Sequence, residues 1–468
     1  MQKISKTVLL TFLMVILGLS AATNSLNEPT ETTVLGEISS PQEVILPIAS
    51  LNEPGFQAGS IFTDTTLSSG GGHTCAILDD GSVSCWGSGT YGQLGNQFAI
   101  DRTTPQLTSS LGTGRTAVAI STGGRDLGNS AGFAGHTCAI LDNGEVSCWG
   151  AGYSGQLGNG ATSNKNTPML TSSLGTGRTA VALSLGSDHT CVILDNGSVS
   201  CWGEGDYGRL GNGGTSDKLT PTLVSSFGIG RTAVALSSGY QHTCVILDNG
   251  AVSCWGKGEY GRLGNGDTTD KLTPTLVSSF GIGRTAVAIS SGYFHTCAIL
   301  DNNDVSCWGS AYFGQLGNGV SSEQSVNSPT LTSSLGSGRT AVALSLGGVH
   351  TCVILDNAEV SCWGYGLKGQ LGNGGTSHMN TPTLTSSLGI GRTAVAISSG
   401  TDQTCAILDN GAISCWGYGG YGQLGNGATS NQNTPTPTSS LGTSTNPRTA
   451  ALSERDFNND GTLNVFES

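Results

Sequence analysis

The sequence predicts an all-β protein: a seven-bladed β-propeller of four-stranded blades, with one disulfide inside a hairpin of each blade. Three observations carry that prediction. The phrase "HTCAILDDGSVSCWG" (73–87) returns six more times with small changes. Successive first cysteines are separated by 63, 53, 53, 53, 55 and 53 residues, a period typical of propellers, solenoids and arrays. Each period holds four strand-like runs, which in the fourth copy are 231–239, 242–247, 251–256 and 272–279. Four short strands per repeat match a propeller blade. With 73 glycines among 468 residues, 11% charged residues and no helical stripe, the chain is rich in turns and poor in helix signals.

Residues 1–22 read as an export signal. Lys3 and Lys6 precede a run of twelve mostly apolar residues, Val8 to Leu19, and Ser20-Ala21-Ala22 offers a small-residue cleavage site. That run is shorter than the roughly 20 residues a membrane span needs. Cleavage removes two lysines and no acid, so the net charge moves from −13 to −15. The expected product is secreted or held at the cell surface, without a membrane span. Its acidity argues against nucleic acid as a partner, since phosphate backbones reward clustered Lys and Arg. Residues 23–61 read as a linker leading into a propeller over 62–442.

The fourteen cysteines form seven pairs ten residues apart. Cys75 goes with Cys85, Cys138 with Cys148, Cys191 with Cys201 and Cys244 with Cys254. The last three pairs are Cys297 with Cys307, Cys352 with Cys362 and Cys405 with Cys415. Even number, fixed spacing and export favour disulfides, whereas a zinc site needs four ligands and one pair supplies two. Hairpin geometry agrees. If Leu78 and Ser82 flank the turn Asp79-Asp80-Gly81, outward pairing sets Ile77 opposite Val83, Ala76 opposite Ser84 and Cys75 opposite Cys85. That is a non-hydrogen-bonded pair with Cα atoms ~4.5 Å apart, within reach of a disulfide. The turn closes on a left-handed residue, here Gly81. At that place the fifth copy has Asn303, which tolerates the conformation, and the sixth has Ala358, which does not do so cheaply. The sixth hairpin is therefore expected to be strained.

Two segments compete for the innermost strand of the first blade: "FTDTTLSSGGG" (62–72) and "RTAALS" (448–453). Loop length favours 62–67, which leaves 443–455 as a linker or closing strand.

Most recurrent polar residues read as structural. Arginine opens each inner strand (Arg115, Arg178, Arg231, Arg284, Arg339, Arg392, and Arg448 in the tail). These either form an anion-binding ring or pair with the hairpin aspartates Asp79, Asp142, Asp195, Asp248, Asp301, Asp356 and Asp409. Equal numbers on one rim favour pairing. His73, His136, His189, His242, His295 and His350 precede six Thr-Cys pairs, with Gln403 in the seventh. One per blade, they are too far apart to share a metal and are expected to make structural hydrogen bonds. The seven Trp-Gly tryptophans are expected in the core. No nucleophile stands beside a base, so no catalytic constellation is read.

The repeats differ mainly on one face. In an up-and-down blade the first-to-second and third-to-fourth connections share a face, and variation collects there. Tyr240, Gln241, Tyr293 and Phe294 lie in the first loop set, and Tyr312 and Phe313 in the second. The insertion 125–134, with Arg125 and Phe133, falls there too. Variable loops bearing aromatics on a rigid scaffold mark a binding surface, against the alternative of idle drift in solvated loops.

The phrase "HTCAILDNG.VSCWG.G.YGQLGNG" resembles the repeat of the regulator of chromosome condensation family over about residues 62–442. The resemblance implies a seven-bladed propeller. It also brings two precedents: nuclear members that exchange nucleotide on a small GTPase, and exported bacterial propellers that bind an enzyme through one face. Fold alone does not choose between them.

The tail "DFNNDGTLNVFE" (456–467) offers oxygen ligands at calcium-loop spacing: Asp456, Asn458, Asp460, the Thr462 carbonyl, Asn464 through water, and Glu467, with Gly461 at the sharp turn. It resembles a single EF-hand or dockerin loop, and weak calcium binding is expected; the alternative is a solvated acidic end. Together these readings predict an exported, non-enzymatic scaffold that binds a protein or other extracellular macromolecule, with calcium as its one cofactor. An adhesive surface protein, an exchange factor and an enzyme of unrecognised type are the rival readings.

Overall fold

The computed structural model describes residues 66–127 and 132–441, which form seven antiparallel four-stranded sheets in up-and-down order. The segments 1–22 and 448–453 and the calcium-loop residues 456–467 lie outside the described residues. The first blade is Leu67–Ser69, His73–Ile77, Val83–Gly87 and Arg102–Leu107. Its innermost strand thus comes from the N-terminal side of the hairpin, starting at the end of the expected segment. In the fourth blade, strands Ala233–Ser238, His242–Leu247, Val252–Gly256 and Lys271–Leu276 fall on the four predicted runs.

The pattern of burial explains the repeat. The second and third strands of the blades, such as His189–Leu194 and Val199–Gly203, are buried at every residue except the half-buried Ser310 of blade 5, because both faces of the sheet pack on neighbouring blades. One tryptophan per blade, 0% exposed, fills each gap between blades. Outer strands are half-covered, and each carries a proline at the same place: Pro105, Pro168, Pro221, Pro274, Pro329, Pro382 and Pro435. Proline removes an N–H from an exposed edge and discourages edge-to-edge pairing.

The hairpin register is as expected. His73 pairs with Gly87, Cys75 with Cys85 and Ile77 with Val83. All seven predicted cysteine pairs are disulfides with Cα atoms 4.1 Å apart. Beyond the first blade, Cys138 is bonded to Cys148, Cys191 to Cys201 and Cys244 to Cys254. In the last three blades Cys297 is bonded to Cys307, Cys352 to Cys362 and Cys405 to Cys415. Gly81 closes its turn at φ 76°, whereas Asn303 and Ala358 hold φ 63° and 61°. In blades 1–3 a Cβ added at the turn glycine would lie 2.5 Å from the Cβ of a threonine in the next blade. Ala358 therefore carries backbone strain. Ala358→Gly is expected to raise stability by about 1 kcal/mol, the left-handed penalty less the extra chain entropy of glycine. Calorimetry of the two proteins checks this, and an unchanged or lower melting temperature would remove the strain.

A ring of serines closes the channel wall. The innermost backbone N–H groups of Ser69, Thr122, Leu185, Ser238, Ser291, Leu346 and Ser399 donate to the Oγ atoms of Ser398, Ser68, Ser121, Ser184, Ser237, Ser290 and Ser345, at 2.8–3.2 Å. Every blade is thus tied to its predecessor, and blade 1 to blade 7. The channel encloses a cavity of about 180 Å³.

Candidate binding face

Up-and-down order places the two variable loop sets on one face, and the ten tyrosines of the chain all fall in them: Tyr240 and Tyr293 in first-to-second connections, the other eight in third-to-fourth connections. The other face carries none. It presents the Gly-Ile-Gly tips Ile229, Ile282 and Ile390, which are 104%, 104% and 102% exposed.

The predicted residues occupy distinct places on the tyrosine face. The Tyr240 and Tyr293 rings pack at a tilt of 33° with centroids 4.6 Å apart, and Phe294 packs edge-on against Tyr260 at 5.6 Å. Gln241 is half-buried, its carbonyl accepting the Lys257 amide. Tyr293 lies across the channel mouth. Its hydroxyl is 2.5 Å from the Thr401 hydroxyl of blade 7 and donates to the Gly124 carbonyl of blade 2 at 3.4 Å. Burial pushes this phenol well above its ordinary pKa. Tyr293 therefore acts first as a cross-channel bolt. Tyr312 is 54% exposed and supports Phe313, which packs in turn on Tyr365 at 5.0 Å.

The insertion is less of a loop than its length suggests. It prolongs two strands into a longer hairpin, Ala117–Asp126 with Phe133–Leu141, pairing Arg125 with Ala134 and Asp126 with Phe133. Phe133, expected on the binding surface, is only 2% exposed. It packs over Gly72 and edge-on against Tyr421, because this aromatic has a glycine-lined niche at the hairpin base. Arg125 stays half-buried, pairing with Asp188 at 3.2 Å and lying over the Tyr153 ring. The Tyr153 hydroxyl donates to the same wholly buried carboxylate.

Across the mouth, Asp402 accepts from Gln370 Nε2 at 3.0 Å. Burial raises its pKa to about 6, with Lys368 opposing and Asp126 adding to the shift. Lys368 itself sits 4.6 Å above the Tyr418 ring. In blades 3 and 4, Glu204 pairs with Arg209 at 2.6 Å and Glu259 with Lys257 at 2.8 Å. The face thus combines aromatic rings with internally paired charges of both signs. Among the described residues, no three His, Cys, Asp or Glu side chains group as a metal site.

The recurrent polar residues form locks. Six arginine–aspartate pairs, from Arg115–Asp142 to Arg392–Asp409, stand 2.9–3.3 Å apart on the opposite face. Each of the six histidines meets a threonine hydroxyl of the next blade, as in His136 Nε2 to Thr190 Oγ1 at 2.9 Å. That threonine donates its own proton to a carbonyl, Gln156 in this case, which also accepts the indole N–H of Trp202. The threonine oxygen must then accept from histidine, so Nε2 carries the proton and Nδ1 keeps a buried, unpartnered lone pair. Gln403 replaces histidine in blade 7 and donates to the Gly70 carbonyl at 3.1 Å.

Sequence reasoning missed Tyr207, Tyr260, Tyr365, Tyr418 and Tyr421 as surface-forming residues. The confinement of all tyrosines to two loop sets was the signal that would have found them.

Comparison with known proteins agrees with this architecture. The RCC1-like domain family matches residues 129–453, and the regulator of chromosome condensation (RCC1) repeat matches 65–93 and 80–125. The ultraviolet-B receptor UVR8 of Arabidopsis thaliana is 32% identical over 371 residues, covering 79% of this chain and 80% of that one. The human E3 ubiquitin-protein ligase HERC2 is 31% identical over 368 residues, 78% of this chain but 7% of that protein. Among solved structures, yeast RCC1 (Prp20) bound to Kap60 superposes with a TM-score of 0.67 at 19% identity, covering 88% of this chain and 92% of that one. Repeat, blade and residue pattern converge: the chain belongs to the RCC1-like repeat family.

Proposed function

We propose that the mature chain is an exported, non-enzymatic binding protein that engages a macromolecular partner through its tyrosine face. The observation that carries this reading is the placement of all ten tyrosines in the loops of one face. Tyrosine offers a large, stiff, amphipathic contact at low entropic cost and is enriched in binding hot spots. Seven disulfides with wholly buried sulfurs support an oxidising compartment, as does the apolar leader. Protein binding also has precedent in the family, in the yeast RCC1 structure with Kap60 and in the binding of Prp20p to Gsp1p and histones.

Affinity capture with the mature protein identifies the partner, and titration then maps the face. Replacing Tyr240, Phe294 and Tyr312 together by alanine is expected to weaken binding about 100-fold, as the loss of hot-spot aromatics does, with the circular dichroism unchanged. Serine at Ile229, Ile282 and Ile390 is expected to leave affinity as it is. The reverse pattern would move the site to the opposite face.

A further inference from the structure

Five blades carry glutamine in the sequence Gly-Gln-Leu-Gly-Asn after the third strand, and blades 3 and 4 carry Arg209 and Arg262 there. In the five, the side-chain oxygen accepts the backbone N–H two residues earlier: Tyr91 to Gln93, Ser154 to Gln156, Phe313 to Gln315, Lys368 to Gln370 and Tyr421 to Gln423, at 2.8–2.9 Å. Arginine has no acceptor. In its two blades Nε donates instead to the carbonyl of Asp206 at 3.1 Å and of Glu259 at 2.8 Å. These carbonyls belong to the same peptide whose N–H faces glutamine elsewhere, so the peptide is turned over. The following residue takes up the change. Tyr207 and Tyr260 stand at φ 61° and 62°, a region that costs a residue with a Cβ, while their five counterparts have none of this strain.

Strain of this kind persists only where the surroundings impose it, and here both arginines are buried completely. The rings they set are among the exposed ones, Tyr207 at 37% and Tyr260 at 40%. Lys257 lies over the first ring at 4.6 Å, and Arg262 over the second at 5.5 Å. We infer that Arg209 and Arg262 are positioning residues of the binding face, each turning over one peptide so that Tyr207 and Tyr260 become fixed outward anchors for a protein partner. This rests on the tyrosine face being the binding face.

The test uses the full mature protein and a peptide selected on it from a random-sequence display library. Arg262→Gln is the cleaner single change, because Glu259 keeps Lys257; Arg209→Gln is then added. Crystal structures of these variants are expected to show Tyr260 and Tyr207 at negative φ, with their amides on the new glutamine oxygens. Peptide affinity is expected to fall about tenfold or more, the loss of one hot-spot contact. Tyr207→Gly with Tyr260→Gly keeps the backbone, loses the rings and should weaken binding as much. The reciprocal change, Gln315→Arg, should bring Phe313 to positive φ. Positive φ retained in the glutamine variants overturns the inference, as does a reversed φ with unchanged affinity. If Tyr312→Ala and Tyr240→Ala are also silent, the binding face itself is misplaced; if only the arginine variants are silent, the face stands and this inference falls.

Discussion

Lowering the pH from 7 to 5 is expected to cost the folded protein on the order of 10 kcal/mol of stability, through its six buried histidines. Burial holds His73, His136, His295 and His350 at a pKa of about 3, and His189 and His242 well below the ordinary value. These folded values lie below the unfolded one, near 6.5. The unfolded chain therefore binds protons first, and the full contribution is present above pH 6.5. It is lost as pH falls toward 3, at about 1.4 kcal/mol per pH unit for each group. Asp402, raised to about 6, works weakly the other way, because its folded form takes a proton early. Denaturant unfolding at pH 7, 6 and 5 measures the slope, which should approach six protons per molecule near pH 5. His350→Gln, copying blade 7, should lower it by one. A flat profile between pH 7 and 5 would mean that the imidazoles are not held neutral.

Removing the disulfides is expected to be the larger perturbation. Each closes a loop of about ten residues and contributes up to about 3 kcal/mol in the chain-entropy model, on the order of 20 kcal/mol for seven. The sulfurs are 0% exposed, so dithiothreitol should scarcely react with the native protein and should react fully in denaturant. The reduced, alkylated chain should then fail to regain its near-ultraviolet circular dichroism after dilution. Thiol titration of the unfolded, unreduced protein should find almost none free. Recovery of the alkylated chain would show that burial between blades suffices alone.

Disulfides and histidines differ in how far the local order of the chain determines them. Disulfide pairing followed from one strand's alternation and one turn, because a two-stranded hairpin is a local object whose register the turn determines. The histidines could be read only as structural. Their neutral state depends on a threonine 54 or more residues away and on the carbonyl it serves.

Taken alone, the sequence determined the seven blades, the strands within them, the hairpin register and the face on which variation collects, since each repeats at a fixed spacing or follows from alternation. Strain at Ala358 was equally legible, as a missing glycine in a known turn. Tertiary structure decided what the exceptional residues do. Phe133 goes inward because glycines of blade 1 leave it a niche; Tyr293 spans the mouth because blades 2 and 7 face blade 5 across a narrow channel. Arg209 and Arg262 differ from glutamine by one letter, yet reverse a peptide because a donor has replaced an acceptor inside a closed pocket. Such outcomes depend on which groups meet across the ring, and spacing along the chain does not encode that meeting.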